Sequence, residues 1–457
     1  MSSSNRPARW ALSGLALCLV VGLAACVQPR AEGPVRAKRP DTGVAVDDGS
    51  GVGARPEETG PEPSWSTPVD RVNQPLAQVG RAIVVPDERQ LRAVDRSTGQ
   101  ELWRHPFPQK YQYVVAGELI VATANDGGTL EVLDAATGGT RWRAADAHDV
   151  VVDRAAVYHR ECVGTGPKAT CALVAQDLRD GHRLWRLSAD RFATVSDLRI
   201  GARLPYAPAA EPYVSVRRSA TGRTFTTVAA RTGKAGGGRL PSRAWYGFTA
   251  GSLLVATDHD PARDDRRCTV EIATVDAATG EKGWSGQVFS GRTDDGECEK
   301  VLAHHYSGTT LLGTGTRLVA VTATGRPQLV ELRTGRTLWQ APAAGTPIDG
   351  DDRSVLVRRT ADSGALTLLD LATGQPRWTA PDPGLSGESA SWRTTVTGRF
   401  VAVSGATEDR PFVLVHDAQG GRLLGRYPGW LAGAGDDWVA VIRSDGSGGT
   451  ALDVHTF

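Results

Sequence analysis

Between Ser64 and Phe457 the apolar positions come in short, β-compatible runs separated by polar turn residues, without long helical periodicity or capping boxes. The stretch LEVLDAATGGTRW, Leu130 to Trp142, shows the unit. Leu130, Val132 and Leu133 form a nearly continuous apolar run, which suits a strand covered on both faces. Asp134 folds its carboxylate back onto backbone N–H groups two or three residues on, Thr137 does so more weakly, and Gly138 takes a positive φ at no steric cost. Trp142 follows at a fixed depth in a second strand, where its ring buries about 200 Å² against a neighbouring unit. The pattern predicts strand, tight turn, strand.

The unit recurs along the chain. Its first copy has Asp95, Thr98, Gly99 and Trp103, and the second has Asp134, Thr137, Gly138 and Trp142. The third keeps Asp177, Gly181 and Trp185 but carries Asp180 for the threonine. A worn fourth copy has Ala229 for the aspartate and Gly237 for the tryptophan, with Thr232 and Gly233 retained. Asp276, Thr279, Gly280 and Trp284 form the fifth, Glu331, Thr334, Gly335 and Trp339 the sixth, and Asp370, Thr373, Gly374 and Trp378 the seventh. An eighth keeps Asp417 and Gly421 but places Gly425 where tryptophan is expected. Successive copies lie 39, 43, 52, 47, 55, 39 and 47 residues apart, the period of propeller blades and solenoid arrays. Runs such as GELIVATA from Gly117, TRLVAVTA from Thr316 and GRFVAVSG from Gly398 lie between them, so each repeat reads as four strands.

This Ala/Leu-x-Asp-x-x-Thr-Gly-x-x-x-Trp pattern resembles the tryptophan-docking repeat of the pyrroloquinoline-quinone (PQQ)-like, quinoprotein-type β-propellers, over roughly Ser64 to Phe457. The resemblance implies an all-β propeller of four-stranded blades. Eight blades are expected, as is usual in that family. Nine is the alternative, in which the strand around Trp65 completes a last blade built from DWVAVIRS at Asp437 and GGTALDVHTF at Gly448. Closure matters because an open ring would leave a strand edge unpaired. The family includes PQQ-dependent dehydrogenases, the outer-membrane assembly lipoprotein of Gram-negative bacteria, and cofactor-free sensor or scaffold domains. Function therefore has to be argued from the site.

Composition changes the picture mainly at the N-terminus. Arg6 and Arg9 precede an apolar run from Ala11 to Leu23, too short to span a bilayer and ordered like a secretory signal. The run ends Leu23-Ala24-Ala25-Cys26, which resembles the bacterial lipobox. That resemblance implies cleavage before Cys26 and a diacylglycerol on its thiol; the rival is an ordinary signal peptide with an incidental cysteine. Residues 1–25 are thus expected to be the signal peptide, 26–63 a flexible tether rich in Pro, Gly and charge, and 64–457 the propeller. The expected location is extracytoplasmic, with a lipid anchor in the cell membrane. The formal net charge is +1, without a basic cluster, which excludes a nucleic-acid footprint.

Cys162, Cys171, Cys268 and Cys298 remain once Cys18 and Cys26 are set aside, an even number that suggests two disulfides, Cys162 with Cys171 and Cys268 with Cys298. Paired Cys/His spacing for a metal is missing. The enzymes resembling this repeat carry adjacent cysteines beside the quinone, and no two cysteines are adjacent here, so PQQ is not expected as a cofactor. Hydrolase and nucleotide-binding signatures are missing as well. The acidic runs Asp258 to Asp265 and Thr293 to Glu299 read as solvated loops in preference to Ca²⁺ ligands, and His304 and His305 as structural or surface residues; no metal site is predicted.

The function expected is a non-catalytic envelope lipoprotein whose propeller is a platform for an envelope protein or ligand. The alternatives are a quinone-dependent oxidoreductase and a sensor working with a membrane kinase. Strand direction puts the Asp-x-x-Thr-Gly turns on one face of the propeller. It puts three longer insertions, Glu161 to Thr170, Asp258 to Arg267 and Ser285 to Glu299, on the other, which is the expected partner face.

Overall fold

In a computed structural model the chain divides into two units, Met1–Arg55 and Pro56–Phe457. The structure describes residues 60–457 except 71, 73, 125–127, 165–168, 197–204, 219–223, 242–244, 250–251, 260–266, 293–312, 315, 323, 360–363, 386–391, 408–409 and 445–448. The signal peptide, Cys26 and most of the tether lie outside these residues, as do Cys298, His304 and His305.

The described residues contain strands and turns but no helix, and every sheet is antiparallel, a meander in sequence order in each case but one, which joins the first strand to the last three. Seven sheets have four strands and one has seven. The seven-stranded sheet contains two meanders that share the long strand Thr140–Val152, which is the fourth strand of one and the first of the next. Counted as sheets there are eight among the described residues; counted as four-stranded units, with the shared strand used twice, there are nine. The worn fourth repeat, which the eight-blade reading treats as no separate blade, forms a sheet of its own from Thr194–Ser196, Tyr213–Arg217, Thr224–Ala229 and Ala235–Pro241.

The two ends of the chain meet in one sheet. Trp65–Pro68 pairs with the C-terminal strand Thr450–Thr456, with Trp65 opposite Val454. Trp142 sits opposite Val132 in the same way, so Trp65 is the tryptophan that the C-terminal meander lacks in its own sequence. Clusters of buried side chains fill the seams between neighbouring sheets: one joins Val84, Leu91 and Trp103 to Ile120 and Leu133, and another joins Leu356, Leu368 and Trp378 to Val401 and Val403.

Each residue of the repeat has a local task. In the second copy Asp134 Oδ1 accepts from the N–H groups of Ala136 and Thr137 and from the Thr137 hydroxyl, all at 3.1 Å. The Thr137 oxygen in turn accepts from Gly139 N–H at 3.2 Å. Gly138 has φ 68°, and a Cβ there would lie 2.6 Å from the ring of Trp103. Glycine is required twice over, by the turn and by the ring laid across it. In the third copy Asp180 accepts the N–H of His182 at 3.0 Å, doing what the threonine does elsewhere.

Candidate binding face and the tryptophan seams

The indole N–H of six docking tryptophans crosses to the next four-stranded unit and donates to the carbonyl just after that unit's cassette aspartate position. Trp65 reaches Arg96 at 2.7 Å, Trp103 reaches Ala135 and Trp142 reaches Leu178 at 2.9 Å, and Trp185 reaches Ala230 at 2.7 Å. Trp339 and Trp378 do the same to Leu371 at 2.8 Å and Ala418 at 3.1 Å. The half-buried Trp284 lies against Gly335. A buried indole N–H needs an acceptor, and the turn supplies a carbonyl free of the strand ladder.

The two exceptions have physical causes. At the fourth copy Gly237 brings backbone to backbone, its N–H donating to Ala278 O at 2.6 Å while the Thr227 hydroxyl donates to Ala277 O at 2.6 Å; no ring fits in that gap. At the eighth, the next sheet's third strand is the C-terminal one and has no cassette turn on which a tryptophan could dock. Tyr427 fills this seam instead, its ring 3.8 Å from that of His455, and His455 Nδ1 contacts Pro61 O at 3.0 Å.

The cassette residues Asp95, Asp134, Asp177, Asp276, Asp370 and their glycines and tryptophans are therefore occupied in turns and seams. Four of these carboxyls are held below the usual carboxylate range. For Asp95 the main cause is the Ser97 hydroxyl, for Asp134 Arg141, for Asp276 the Thr279 N–H, and for Asp370 Arg377.

The turns joining third and fourth strands lie on one face, and the hairpins joining second and third strands lie on the other with the sheet-to-sheet connections. On this second face the hairpin of Ala156–Val163 and Thr170–Asp177 is closed by a Cys162–Cys171 disulfide between residues directly opposite in register. The strand Arg267–Asp276 carries Cys268, but its expected partner Cys298 and most of the Asp258 to Arg267 insertion lie outside the described residues. The third expected insertion is corrected in part: Lys282–Arg292 is a single strand, so its first half, from Ser285, extends a sheet edge. A bulge between Val270 and Glu271 lets that strand stay paired.

Four large hydrophobic side chains are exposed among the described residues, and three of them stand on the hairpin face. Val163 (72% exposed) is at the hairpin tip, Phe192 (50%) is in the connection between the third and fourth repeats, and Trp430 (40%) begins the strand Trp430–Ala434. Arg191 lies over the Phe192 ring at 4.6 Å. The register Cys171 to Ala189 brings the Phe192 connection beside the disulfide hairpin. Leu423 alone is on the turn face, at the start of Leu423–Pro428.

Two features escape the sequence pattern. Pro205 to Pro208, between the first two strands of the fourth sheet, lies along the first strand of the second repeat: Val115 N–H donates to Pro205 O and Ala207 N–H to Val115 O, both at 2.7 Å. The Tyr206 hydroxyl accepts from Gln78 N–H at 2.7 Å, so the segment bridges the axis-side strands of the first two repeats. Separately, Asp177, Asp180 and His182 place their ligand atoms within 4.8 Å of one another on the turn face, with Asp180 and His182 exposed. Asp180 and His182 already bond each other at 2.6 Å, and Arg231 reaches Asp177 at 3.4 Å.

Antiparallel four-stranded meanders, a sheet closed by both chain ends and tryptophans docked from sheet to sheet define a β-propeller of the PQQ-like repeat class. The chain belongs to the family described as outer membrane protein assembly factor BamB, whose profile matches residues 43–253, 216–380 and 268–428. Similar solved structures include BamB from Moraxella catarrhalis (16% identity, 88% of this chain and 100% of that chain covered, TM-score 0.42). Others are a europium-containing methanol dehydrogenase (14%, 86% and 93%, 0.42) and the quinohemoprotein alcohol dehydrogenase of Comamonas testosteroni (15%, 86% and 76%, 0.40). A search of curated proteins gives no match.

Proposed function

We propose that this protein is a lipid-anchored envelope component that works by binding, presenting the hairpin face of a rigid propeller to an envelope protein. The observation that carries the reading is the segregation of exposed Val163, Phe192 and Trp430 to the face opposite the cassette turns. Apolar and aromatic side chains on a rigid frame are the usual anchors of a protein interface. The family's description as an assembly factor supports the reading, and so does the absence of adjacent cysteines from the whole sequence.

A photo-crosslinking residue placed at Phe192 or Val163 should capture the same discrete protein in native membranes. The same group at Leu423, on the opposite face, should not. Equal capture from both faces would overturn the choice of face. Quinone-dependent dye reduction after loading with PQQ and Ca²⁺ would overturn the non-catalytic reading in favour of an oxidoreductase.

Anchoring rests on Leu23-Ala24-Ala25-Cys26. Cys26→Ser should move the protein from the membrane to the soluble fraction or block its processing, and mass spectrometry of the wild-type N-terminal peptide should find a diacylglyceryl adduct. An unmodified Cys26 with unchanged membrane partitioning would remove the anchor from the proposal.

A further inference from the structure

The disulfide hairpin carries more machinery than a staple needs. Cys162 is partly exposed, whereas Cys171 is buried at 1% exposure. Two residues before Cys162 on the same strand, and so on the same side of the sheet, stands Arg160. Its Nη1 is 3.3 Å from Cys162 Sγ. The remaining donors do not wander: Nε and Nη2 are held by Asp149 Oδ2 at 3.1 and 2.9 Å, and the guanidinium side chain is only 16% exposed. Asp149 sits in the shared strand Thr140–Val152 with φ 50°, a left-handed conformation that a non-glycine residue adopts at a cost of about 1–2 kcal/mol. Local strain of this kind, maintained by the surrounding structure, is a pointer to function.

The electrostatics of the two redox states differ. An N–H aimed at a neutral disulfide sulfur makes a weak contact, since that sulfur is a poor acceptor. The same N–H aimed at a thiolate makes a charge-assisted hydrogen bond with a fixed cation behind it. Arg160 therefore favours the reduced form over the oxidised one and favours thiolate over thiol at Cys162, the two conditions that make a disulfide labile. Asp149 offsets part of the guanidinium's charge while it fixes its direction, so what reaches Cys162 is chiefly the aimed N–H; Glu161, adjacent in sequence, points to the opposite side of the strand and faces Arg186 at 3.7 Å.

From this geometry we infer that Cys162–Cys171 is a thiol–disulfide exchange site, with Cys162 the reacting sulfur, Arg160 its positioning residue, and an extracytoplasmic protein dithiol as co-reactant. A thiolate of the dithiol attacks Cys162 Sγ, the Cys162–Cys171 bond breaks, and the electron pair leaves on Cys171, which takes the proton of the dithiol's second thiol. That second sulfur then attacks its own partner sulfur in the mixed disulfide and releases Cys162 as a thiolate onto Arg160. The dithiol ends as a disulfide and the protein as one thiol and one thiolate, a two-electron exchange without further reagents. The site is independent of the binding reading, because it needs no partner on Phe192 or Trp430.

The test uses the full chain, with peptide mass mapping to separate Cys162 from the other cysteines. In Cys171→Ser, which leaves Cys162 free whether or not reduction loosens the hairpin, iodoacetamide should modify Cys162 at mildly acid pH about threefold faster than in Cys171→Ser/Arg160→Gln, the roughly tenfold gain in thiolate for one unit of thiol pKa less the accompanying fall in nucleophilicity. Arg160→Lys should restore part of the difference. In the wild type, a thioredoxin-type dithiol should reduce Cys162–Cys171 while far-ultraviolet circular dichroism stays unchanged, and Arg160→Gln should require several-fold more reductant. Equal alkylation rates with and without Arg160, or a bridge that opens only when the sheet signal is lost, would overturn the inference and leave a structural disulfide.

Discussion

Trp378→Ala should remove about 3–5 kcal/mol of stability, the cost of deleting a large aromatic side chain from a packed site. The ring is buried in the seam cluster that joins two sheets, stacks on His416 at 5.7 Å between centroids, covers Gly421 and donates to Ala418 O at 3.1 Å. Its loss leaves a cavity on one side and an unpaired carbonyl on the other, and neither sheet can close the gap alone because Gly421 has no side chain to offer. Trp430→Ala is the control, since an exposed ring away from a seam should change stability by less than about 0.5 kcal/mol. Urea denaturation followed by circular dichroism compares the two. Hydrogen exchange should locate the damage in the strands Phe400–Thr407 and Arg410–Asp417, across the opened seam. If Trp378→Ala unfolds with the wild-type midpoint, the seam tryptophans are not what holds neighbouring sheets together.

The same seams explain what could be read from the sequence. Asp134, Thr137, Gly138 and Trp142 are legible because each does one job that few other residues can do: accept turn N–H groups, extend that cap, adopt φ 68°, and reach a carbonyl on the next sheet. The fold class follows from their repetition. The closure by Trp65 is visible in the sequence only as the nine-blade alternative, a tryptophan lacking its own cassette at one end and strands lacking their tryptophan at the other. Harder to read is a repeat whose seam uses backbone: Gly237 says only that a tryptophan is missing, and its contact with Ala278 has no side-chain signature. The shared strand Thr140–Val152 is equally silent, because the turn that would separate two meanders is replaced by positive φ angles at Asp146 and Asp149, residues that a sequence reader assigns to an ordinary polar connection. Pro205 to Pro208 has no period at all; its place is fixed by backbone bonds to Val115 and by one tyrosine hydroxyl.

Acidification should destabilise the propeller in two stages. His159, His416 and His455 are buried, and burial pushes each imidazole below its ordinary value, against the opposing pull of Gln176, the Gly421 carbonyl and the Pro61 carbonyl respectively. A histidine whose folded value is depressed is protonated first in the unfolded chain. Unfolded molecules therefore bind more protons as pH drops below about 6.5, and stability declines from that point. The second stage belongs to carboxyls whose folded values are also depressed, Asp95, Asp134, Asp276 and Asp370 in the cassettes together with Glu101, Glu131 and Asp180. Their contribution is complete above the unfolded carboxylate values of about 4 and is lost as pH falls through the folded values. Asp87 runs the other way, because burial raises it despite the neighbouring Arg92, so its protonation partly offsets the second stage. Urea midpoints measured from about pH 8 to pH 3 should stay level above neutrality, slope down through mildly acid conditions and fall steeply below about pH 4. His416→Gln should flatten the first slope, and Asp134→Asn with Asp370→Asn should shallow the second while lowering the neutral plateau. A midpoint that stays constant from neutrality to about pH 5 would show that the buried histidines do not set the acid response.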